Sequence, residues 1–396
     1  MSRLLFVSLP LPGHVNPMAA VAAVLTRCGH EVMWAGSESF LRPHVGEDAL
    51  IHPIPLRAHR GQAERGLDAA RSRWDGYIVP HAKTTRRGLE AAVESFRPDA
   101  LVVDQHAVAG AVVAHRYGLS WASVAPTTME LTRPYLRTLP TIEDWIAERL
   151  ATVWRAADMP GEPPHDLRFS PHLLIAFTAG PLAGDPAEVP PGTVLVGPAF
   201  GTRAPDPDFP AGWRDPDRRQ VLVTMGTLSM DLAKDFYQRM AAALEPLGDR
   251  LQAIVVAPDG TLADPPAHIL VRPRVPVLDL LPRTDVVVCH GGLNTVGEAL
   301  THGVPLVVAP IKGDQMFNAT AVATAGAGLR VSFDHIRPAA LREGLLDLLD
   351  DPRYRDAARR AGDTLLAAGG AETAADHLER LATAPRPAQS ERRANA

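Results

Sequence analysis

Cysteine, long apolar runs and an excess of basic charge are scarce or absent in this chain of 396 residues. Two cysteines, Cys28 and Cys289, are too few for a disulfide framework or a cysteine metal site. No apolar run approaches the roughly 18 residues that cross a bilayer, and early prolines interrupt any secretion signal. The net charge of -5 offers no basic surface to nucleic acid. We therefore expect a cytoplasmic protein that binds neither nucleic acid nor membrane.

The first part of the chain alternates strand and helix patterns. Residues 3–9 form a continuous apolar run, Asn16 and Pro17 mark the start of a helix, and Gly29 marks its end. Residues 30–35 form the next strand. This βαβ pattern predicts a parallel sheet covered by helices, and the composition, 46% hydrophobic and 21% charged, is that of a folded protein.

A second α/β series follows a proline-rich stretch, so the length fits two domains. We expect an α/β fold of two Rossmann-like, doubly wound domains whose strand ends face a central cleft. The predicted divisions are an N-terminal domain over residues 1–203, a linker over 204–219, a C-terminal domain over 220–383 whose last helices can pack back on the first domain, and a loose tail over 384–396.

Glycines stand at two strand ends of the second series. Gly291 and Gly292 separate a predicted strand from a helix that starts near Asn294. Backbone amides at such a helix start, together with the helix dipole, bind anions such as phosphate. Because Gly226 and Thr227 follow another strand at the same edge, the two turns together can hold a diphosphate.

Carboxylate and amide side chains near these turns fit a polyol. Glu298 lies one helical turn after Asn294, and Asp314 and Gln315 follow the next strand. A carboxylate accepts hydrogen bonds from hydroxyls, whereas an amide both donates and accepts them. The pattern predicts a hydroxyl-rich ligand beside the anion site.

Three motifs resemble the nucleotide-sugar-dependent glycosyltransferase superfamily that includes antibiotic, macrolide and plant natural-product enzymes. Residues 289–319 read CHGGLNTVGEALTHGVPLVVAPIKGDQMFNA and resemble its nucleotide-sugar signature. Residues 10–17, PLPGHVNP, resemble its catalytic loop, and Arg274, Val275 and Pro276 resemble its base-contacting segment. The order and spacing of the motifs agree over most of the chain.

The resemblance implies a GT-B fold and inverting transfer of a hexose from a UDP- or dTDP-sugar, with no metal and no cofactor beyond that co-substrate. It implies these donor contacts: Gly226, Thr227, His290, Gly291, Gly292, Asn294 and Thr295 with the diphosphate, Glu298 with the ribose, Asp314 and Gln315 with the hexose, and Arg274 and Val275 with the pyrimidine. Lys312 stands where many relatives carry an aromatic residue, which leaves the choice between UDP and dTDP open.

His14 and Asp104 form the candidate catalytic pair. His14 follows the first predicted strand just before a helix start, whose dipole disfavours the imidazolium, and Asp104 ends another strand at the same edge. An aspartate that keeps one imidazole nitrogen protonated leaves the other free to take a proton from an acceptor hydroxyl. We therefore predict that His14 is the general base and that Asp104 orients it.

The acceptor is expected to be a small hydrophobic natural product, such as a polyketide, macrolide or phenolic. By resemblance its pocket lies in the N-terminal domain, where Trp74, Tyr77 and Met129 are candidates for contact. The enzyme is expected to be a monomer or homodimer.

Two Asp-x-Asp pairs have the pattern of a metal site. The pairs at residues 206–208 and 215–217 lie in the proline-rich linker, where no strand orients them, so we predict no metal site.

Two alternative functions remain open. A nucleotide-sugar 2-epimerase has the same fold but little use for the loop containing His14. A catalytically silent GT-B-like binding or activator protein would keep the cleft without an intact His14–Asp104 pair.

Overall fold

The computed structural model describes residues 1–55, 66–133, 141–185, 187–201, 209–226 and 233–385. Within these residues the chain forms two parallel sheets, one in each half of the sequence, as the alternating pattern predicted. None of the described helices combines the length and the apolar character that a bilayer crossing requires.

The N-terminal sheet has, within the described residues, seven parallel strands in the order β3-β2-β1-β4-β5-β6-β7. The strands are β1 Arg3–Val7, β2 Glu31–Gly36, β3 Leu50–Pro53, β4 Ala100–Asp104, β5 Ser120–Ala125, β6 Leu173–Ala176 and β7 Thr193–Leu195. The helices are α1 Pro12–Arg27, α2 Glu38–Val45, α3 Gly66–Arg73, α4 Val79–Phe96, α5 Ala109–Tyr117, α6 Met129–Thr132 and α7 Thr141–Ala156, with a π-helical turn, Trp74–Ile78, between α3 and α4.

The C-terminal sheet has, in the described part of the chain, six parallel strands in the order β10-β9-β8-β11-β12-β13. The strands are β8 Arg219–Thr224, β9 Leu251–Val256, β10 Ile269–Arg272, β11 Val286–Cys289, β12 Leu306–Val308 and β13 Gly328–Arg330. The helices are α8 Lys234–Leu244, α9 Val277–Leu280, α10 Leu293–Thr301, α11 Gln315–Thr324, α12 Pro338–Asp350, α13 Pro352–Ala367 and α14 Gly370–Thr383.

Two segments connect the halves. Of the predicted linker, residues 204–208 lie outside the described residues, and the rest packs on the second sheet, where Trp213 Nε1 donates to the carbonyl of Ala267 at 3.2 Å. At the far end of the chain, α14 packs its small residues against α1 of the N-terminal half. Residues 386–396 of the predicted tail also lie outside the described residues.

Helix α1 begins earlier than the sequence predicted. The prediction placed its first residue at Pro17, but the helix starts at Pro12, so Pro17 lies inside it. Pro12 suits the first helical position equally well, because that position needs no N–H donor. Pro17 has no N–H to offer the carbonyl four residues back, so the carbonyl of Gly13 lacks its usual partner within the helix.

The Gly13 carbonyl accepts a hydrogen bond across the cleft between the two sheets. Asn294 Nδ2 donates to the Gly13 oxygen at 3.1 Å. A second contact joins Thr128 Oγ1 and Asn318 Oδ1 at 3.2 Å. The carboxyl ends of both sheets therefore face one another, which is where open α/β sheets bind ligands.

Candidate active site

Asp104 is held at the end of β4 by several donors. Its side chain is 0% exposed. Oδ2 accepts hydrogen bonds from the Leu9 amide at 3.0 Å and from Ser8 Oγ at 3.3 Å, while Oδ1 accepts from the His106 amide at 3.0 Å. Burial alone would raise the pKa of the carboxyl, but His14 and His106 hold that pKa well below its usual range. Asp104 is therefore a fixed, ionised acceptor.

His14 lies in the first turn of α1, rather than in a loop before it. Its Nδ1 is 2.8 Å from Asp104 Oδ2. Because an ionised carboxylate only accepts, Nδ1 carries the proton and Nε2 remains a free acceptor. Adjacent strands β1 and β4, paired with Val7 opposite Val103, bring the two residues together. The predicted pair is thus assembled at the edge of the cleft.

The paired glycines lie opposite His14, at the turn between β11 and α10. Gly291 has φ of 90°, and a Cβ there would lie 2.8 Å from Val308 Cγ1 and 3.0 Å from the backbone oxygen of Gln315. Gly292 is the N-cap of α10, so the first amides of the helix open toward the cleft. Asn294 and Thr295, in the first turn, are half-buried. The glycines and the helix start therefore lie together, and their binding of an anion stays a prediction.

A second glycine turn, at the end of β8, lies against the first. Gly226 has φ of 75°, and a Cβ there would lie 2.6 Å from the imidazole of His290. Only glycine allows this approach. Burial lowers the pKa of His290 to about 4, so its ring is neutral near pH 7. Thr227, the other residue predicted for this turn, lies outside the described residues.

The three polar residues predicted to bind sugar hydroxyls differ in what they offer. Gln315 Oε1 already accepts from the amides of Ile311 and Lys312 at 2.8 and 3.0 Å, which leaves its NH2 group for a ligand. Asp314 is half-buried, and burial raises the pKa of its carboxyl although nearby Arg73 and His14 lower it. Glu298 is buried on α10.

The remaining predicted donor contacts follow β10. Arg274 is exposed, and Val275 packs in part against the core of the second sheet. Both lie just beyond the carboxyl end of their strand, and so on the same edge as the paired glycines. The structure therefore brings the described donor candidates to one rim.

The three acceptor candidates lie around the catalytic pair. Trp74 is buried in the core, with its ring edge-on to His106 at 6.3 Å between centroids. Tyr77 is half-buried, and burial and the charge of Asp104 raise the pKa of its hydroxyl. Met129 is buried beside Glu130 on α6. The packing of Trp74 is that of a core residue.

Four buried ionisable residues near the pair were not predicted from the sequence. They are His106, Glu130 and Arg168, together with His81 on α4. Glu130 follows the end of β5, the neighbour of β4, so its position beyond a strand end was a usable signal. Arg168 lies in an irregular segment, where the sequence carries no such signal.

His14, Asp104 and His106 also meet the spacing of a metal site, since one possible ligand atom from each lies within 4.8 Å of the others. Several of these atoms already have hydrogen-bond partners, however. Both oxygens of Asp104 accept hydrogen bonds, and His106 Nε2 lies 3.1 Å from Glu130 Oε1. The cluster has the chemistry of a hydrogen-bonded relay.

Because His81 is buried, we expect the stability of the protein to depend measurably on pH. The side chain is 7% exposed, and neither ring nitrogen has a hydrogen-bond partner among the described residues. Burial lowers its pKa from 6.5 to about 4, opposed by the charge of Asp104. The unfolded chain therefore takes up the proton first, so stability that is complete above about pH 6.5 is lost as pH falls toward 4.

Urea unfolding at pH 7 and pH 5 tests this expectation. The folded-state shift predicts that His81 costs about 2 kcal/mol of unfolding free energy between these pH values. His81→Leu fills a similar volume and removes the titration, so its stability should fall by that much less. Equal losses in the two proteins would contradict the assignment.

Comparison with known proteins agrees with this architecture. Residues 244–381 match the family model described as the C-terminal domain of erythromycin biosynthesis protein CIII-like proteins. The chain is 29% identical to 4'-demethylrebeccamycin synthase of Lentzea aerocolonigenes, covering 96% of this chain and 99% of that protein. It is 27% identical to demethyllactenocin mycarosyltransferase of Streptomyces fradiae, covering 96% and 87%.

Solved structures give the same result. The glycosyltransferase of kitacinnamycin superposes with a TM-score of 0.80 at 26% identity, covering 96% of this chain and 99% of that one. The calicheamicin glycosyltransferase CalG4 superposes with a TM-score of 0.77 at 21% identity, covering 97% and 100%. The chain is therefore a glycosyltransferase with the GT-B fold. Its sequence and fold are similar to those of antibiotic and macrolide glycosyltransferases, which its motifs also resemble.

Proposed function

We propose that the protein is an inverting, metal-independent hexosyltransferase. It moves a hexose from a UDP- or dTDP-sugar to a hydroxyl of a small hydrophobic natural product. The observation that carries this proposal is the 2.8 Å contact between His14 Nδ1 and buried Asp104, placed directly across the cleft from the glycine turn by the Asn294–Gly13 contact.

His14 Nε2 takes the proton of the acceptor hydroxyl. The acceptor oxygen then attacks the anomeric carbon from the side opposite the diphosphate, a new C–O bond forms, and the bond from the anomeric carbon to the phosphate oxygen breaks. Asp104 stabilises the imidazolium that results. Attack from the opposite face inverts the configuration at the anomeric carbon.

The leaving diphosphate collects negative charge, and the rim supplies donors for it. The first amides of α10, opened by Gly291 and Gly292, point at this charge, and the helix dipole adds to their effect. We assign Asp314 and the NH2 group of Gln315 to the hexose hydroxyls; the support is that Gln315 uses its oxygen on the Ile311 and Lys312 amides and keeps its NH2 group for a ligand. Two relatives have names that specify different sugars. One is an uncharacterised UDP-glucosyltransferase of Bacillus subtilis at 26% identity, and the other is the mycarosyltransferase.

The test incubates the protein with labelled UDP-glucose or dTDP-glucose and a panel of phenols and macrolide aglycones, with and without EDTA. We expect a glucoside whose anomeric proton coupling in NMR shows inversion, at a rate that EDTA does not change. A sugar nucleotide inverted at C2 would instead identify an epimerase. Donor binding without any product would identify a silent binding protein.

A further inference from the structure

The catalytic pair continues into the core through a chain of buried polar groups. His106, Glu130 and Arg168 are 2%, 6% and 2% exposed. His106 Nε2 lies 3.1 Å from Glu130 Oε1, and Arg168 donates from a terminal nitrogen to the other oxygen of Glu130. The mechanism proposed above uses none of these three residues.

Arg168 is anchored so firmly that it fixes Glu130. Its guanidinium also donates to Glu143 Oε2 at 2.6 Å and to Asp166 Oδ2 at 2.8 Å. Burial alone would raise the pKa of Glu130, but Arg168 and His106 hold that pKa well below its usual range. Glu130 is therefore an ionised acceptor, and His106 must present a proton on Nε2 to it.

The position of His106 controls Asp104 through the turn after β4. The His106 amide donates to Asp104 Oδ1 at 3.0 Å, which leaves Oδ2 to face His14. The same turn is closed by the Ala107 amide, which donates to the Asp104 carbonyl at 2.8 Å. The His106 ring packs near the His14 ring, at 5.6 Å between centroids. His106 is therefore linked to both members of the pair, to Asp104 through its amide and to His14 through its ring.

We propose that His106 and Glu130 are positioning residues: the Arg168–Glu130–His106 chain sets the carboxylate plane of Asp104 and so keeps the proton of His14 on Nδ1. The proposal rests on the proposed role of His14 as the base. It requires that the effect of His106 on turnover passes through His14, which a purely structural contribution would not do.

The first test compares His106→Leu with His106→Gln. Glutamine places an amide nitrogen near the position of Nε2 and can still donate to Glu130, whereas leucine keeps the volume without a donor. Because small misplacements of a catalytic group are costly, we expect kcat to fall about 10- to 100-fold in the leucine variant and to recover most of that loss in the glutamine variant. KM for the donor should stay within about twofold in both, since the donor rim is untouched. Equal losses in the two variants would overturn the proposal.

A double variant shows whether the effect passes through His14. In a His14→Ala background, His106→Leu should leave the residual turnover unchanged, because the group that it positions is gone. If the two substitutions instead lower turnover by factors that multiply in the double variant, the proposal is overturned. If the leucine variant does not fold, His106→Asn serves instead, since asparagine is too short to reach Glu130.

The second test does not depend on sugar transfer. Nitrogen-15 NMR of the histidine rings, with His14→Asn to assign the His14 signals, reports which nitrogen carries the proton. We expect His14 in the unmodified protein and in His106→Gln to be protonated on Nδ1, and His106→Leu to show a mixture of both tautomers. An unchanged His14 spectrum in the leucine variant would overturn the positioning role. Absence of transfer with the expected spectra would reject only the proposed function.

Discussion

Replacing His14 with alanine will lower kcat by ~100 to 10,000-fold, the range that a general base contributes. No other side chain replaces its Nε2 in the proposed mechanism, because His106 is turned toward Glu130 at 3.1 Å. Affinity for the nucleoside diphosphate should stay within about twofold, since the residues proposed to bind the donor lie in the C-terminal domain. Single-turnover transfer and calorimetric titration with UDP and dTDP measure the two effects.

A matched histidine serves as the control. His115 lies in the same domain, exposed in the last turn of α5, and α5 runs away from the strand ends that form the cleft. His115→Ala should transfer sugar at the rate of the unmodified protein. If His14→Ala kept more than a tenth of the turnover, or lost donor affinity to the same extent as turnover, the role of base would be wrong.

The strands that build the cleft could be predicted because each is an apolar run between breaking residues. Strands β1 and β4 are almost wholly buried, so their sequences are continuous apolar runs and their ends are clear. The short strands β3, β6 and β7 were missed: β3 includes a histidine and a proline, β6 has only four residues, and β7 has only three residues beside the proline-rich stretch. Strand β3 lies at one edge of the sheet and β6 and β7 lie at the other, and none of the three contributes to the candidate site.

The start of α1 was wrong for a reason that bears on the site. Two prolines, Pro12 and Pro17, each suit the first helical position, and sequence alone does not choose between them. The choice of Pro12 leaves the carbonyl of Gly13 without its partner in the helix, and Asn294 takes that carbonyl. Local rules predict each residue separately, whereas the contact exists only after the two domains meet.

The buried hydrogen-bonded residues His106, Glu130 and Arg168 could not be predicted from the sequence for the same reason. Glu130 is 24 residues from His106 and 38 from Arg168 along the chain. A glutamate after a strand end more often lies in solvent, and only the neighbouring order of β4 and β5 makes these side chains meet. By contrast, His14 and Asp104 could be predicted from the ends of β1 and β4, because adjacent parallel strands end at the same edge.

Asp104→Asn should lower kcat by ~100-fold or more with little change in shape. The carboxylate accepts on both oxygens, from the Leu9 amide and His14 on one and from the His106 amide on the other. An asparagine has one oxygen, so one side must meet its NH2 group. If that side is His14, the imidazole must accept on Nδ1 and carry its proton on Nε2, which cannot then take the acceptor proton.

In either orientation the NH2 group faces a backbone donor, the Leu9 amide on the side of His14 or the His106 amide on the other side. One buried donor is therefore left unpaired at a cost of about 1 to 3 kcal/mol, which urea unfolding measures, and kinetics measure the effect on the base. Because Asp104 acts through His14, combining Asp104→Asn with His14→Ala should cost no more turnover than His14→Ala alone. Independent, multiplying losses, or an Asp104→Asn variant within tenfold of full activity, would show that the two residues do not act as one unit.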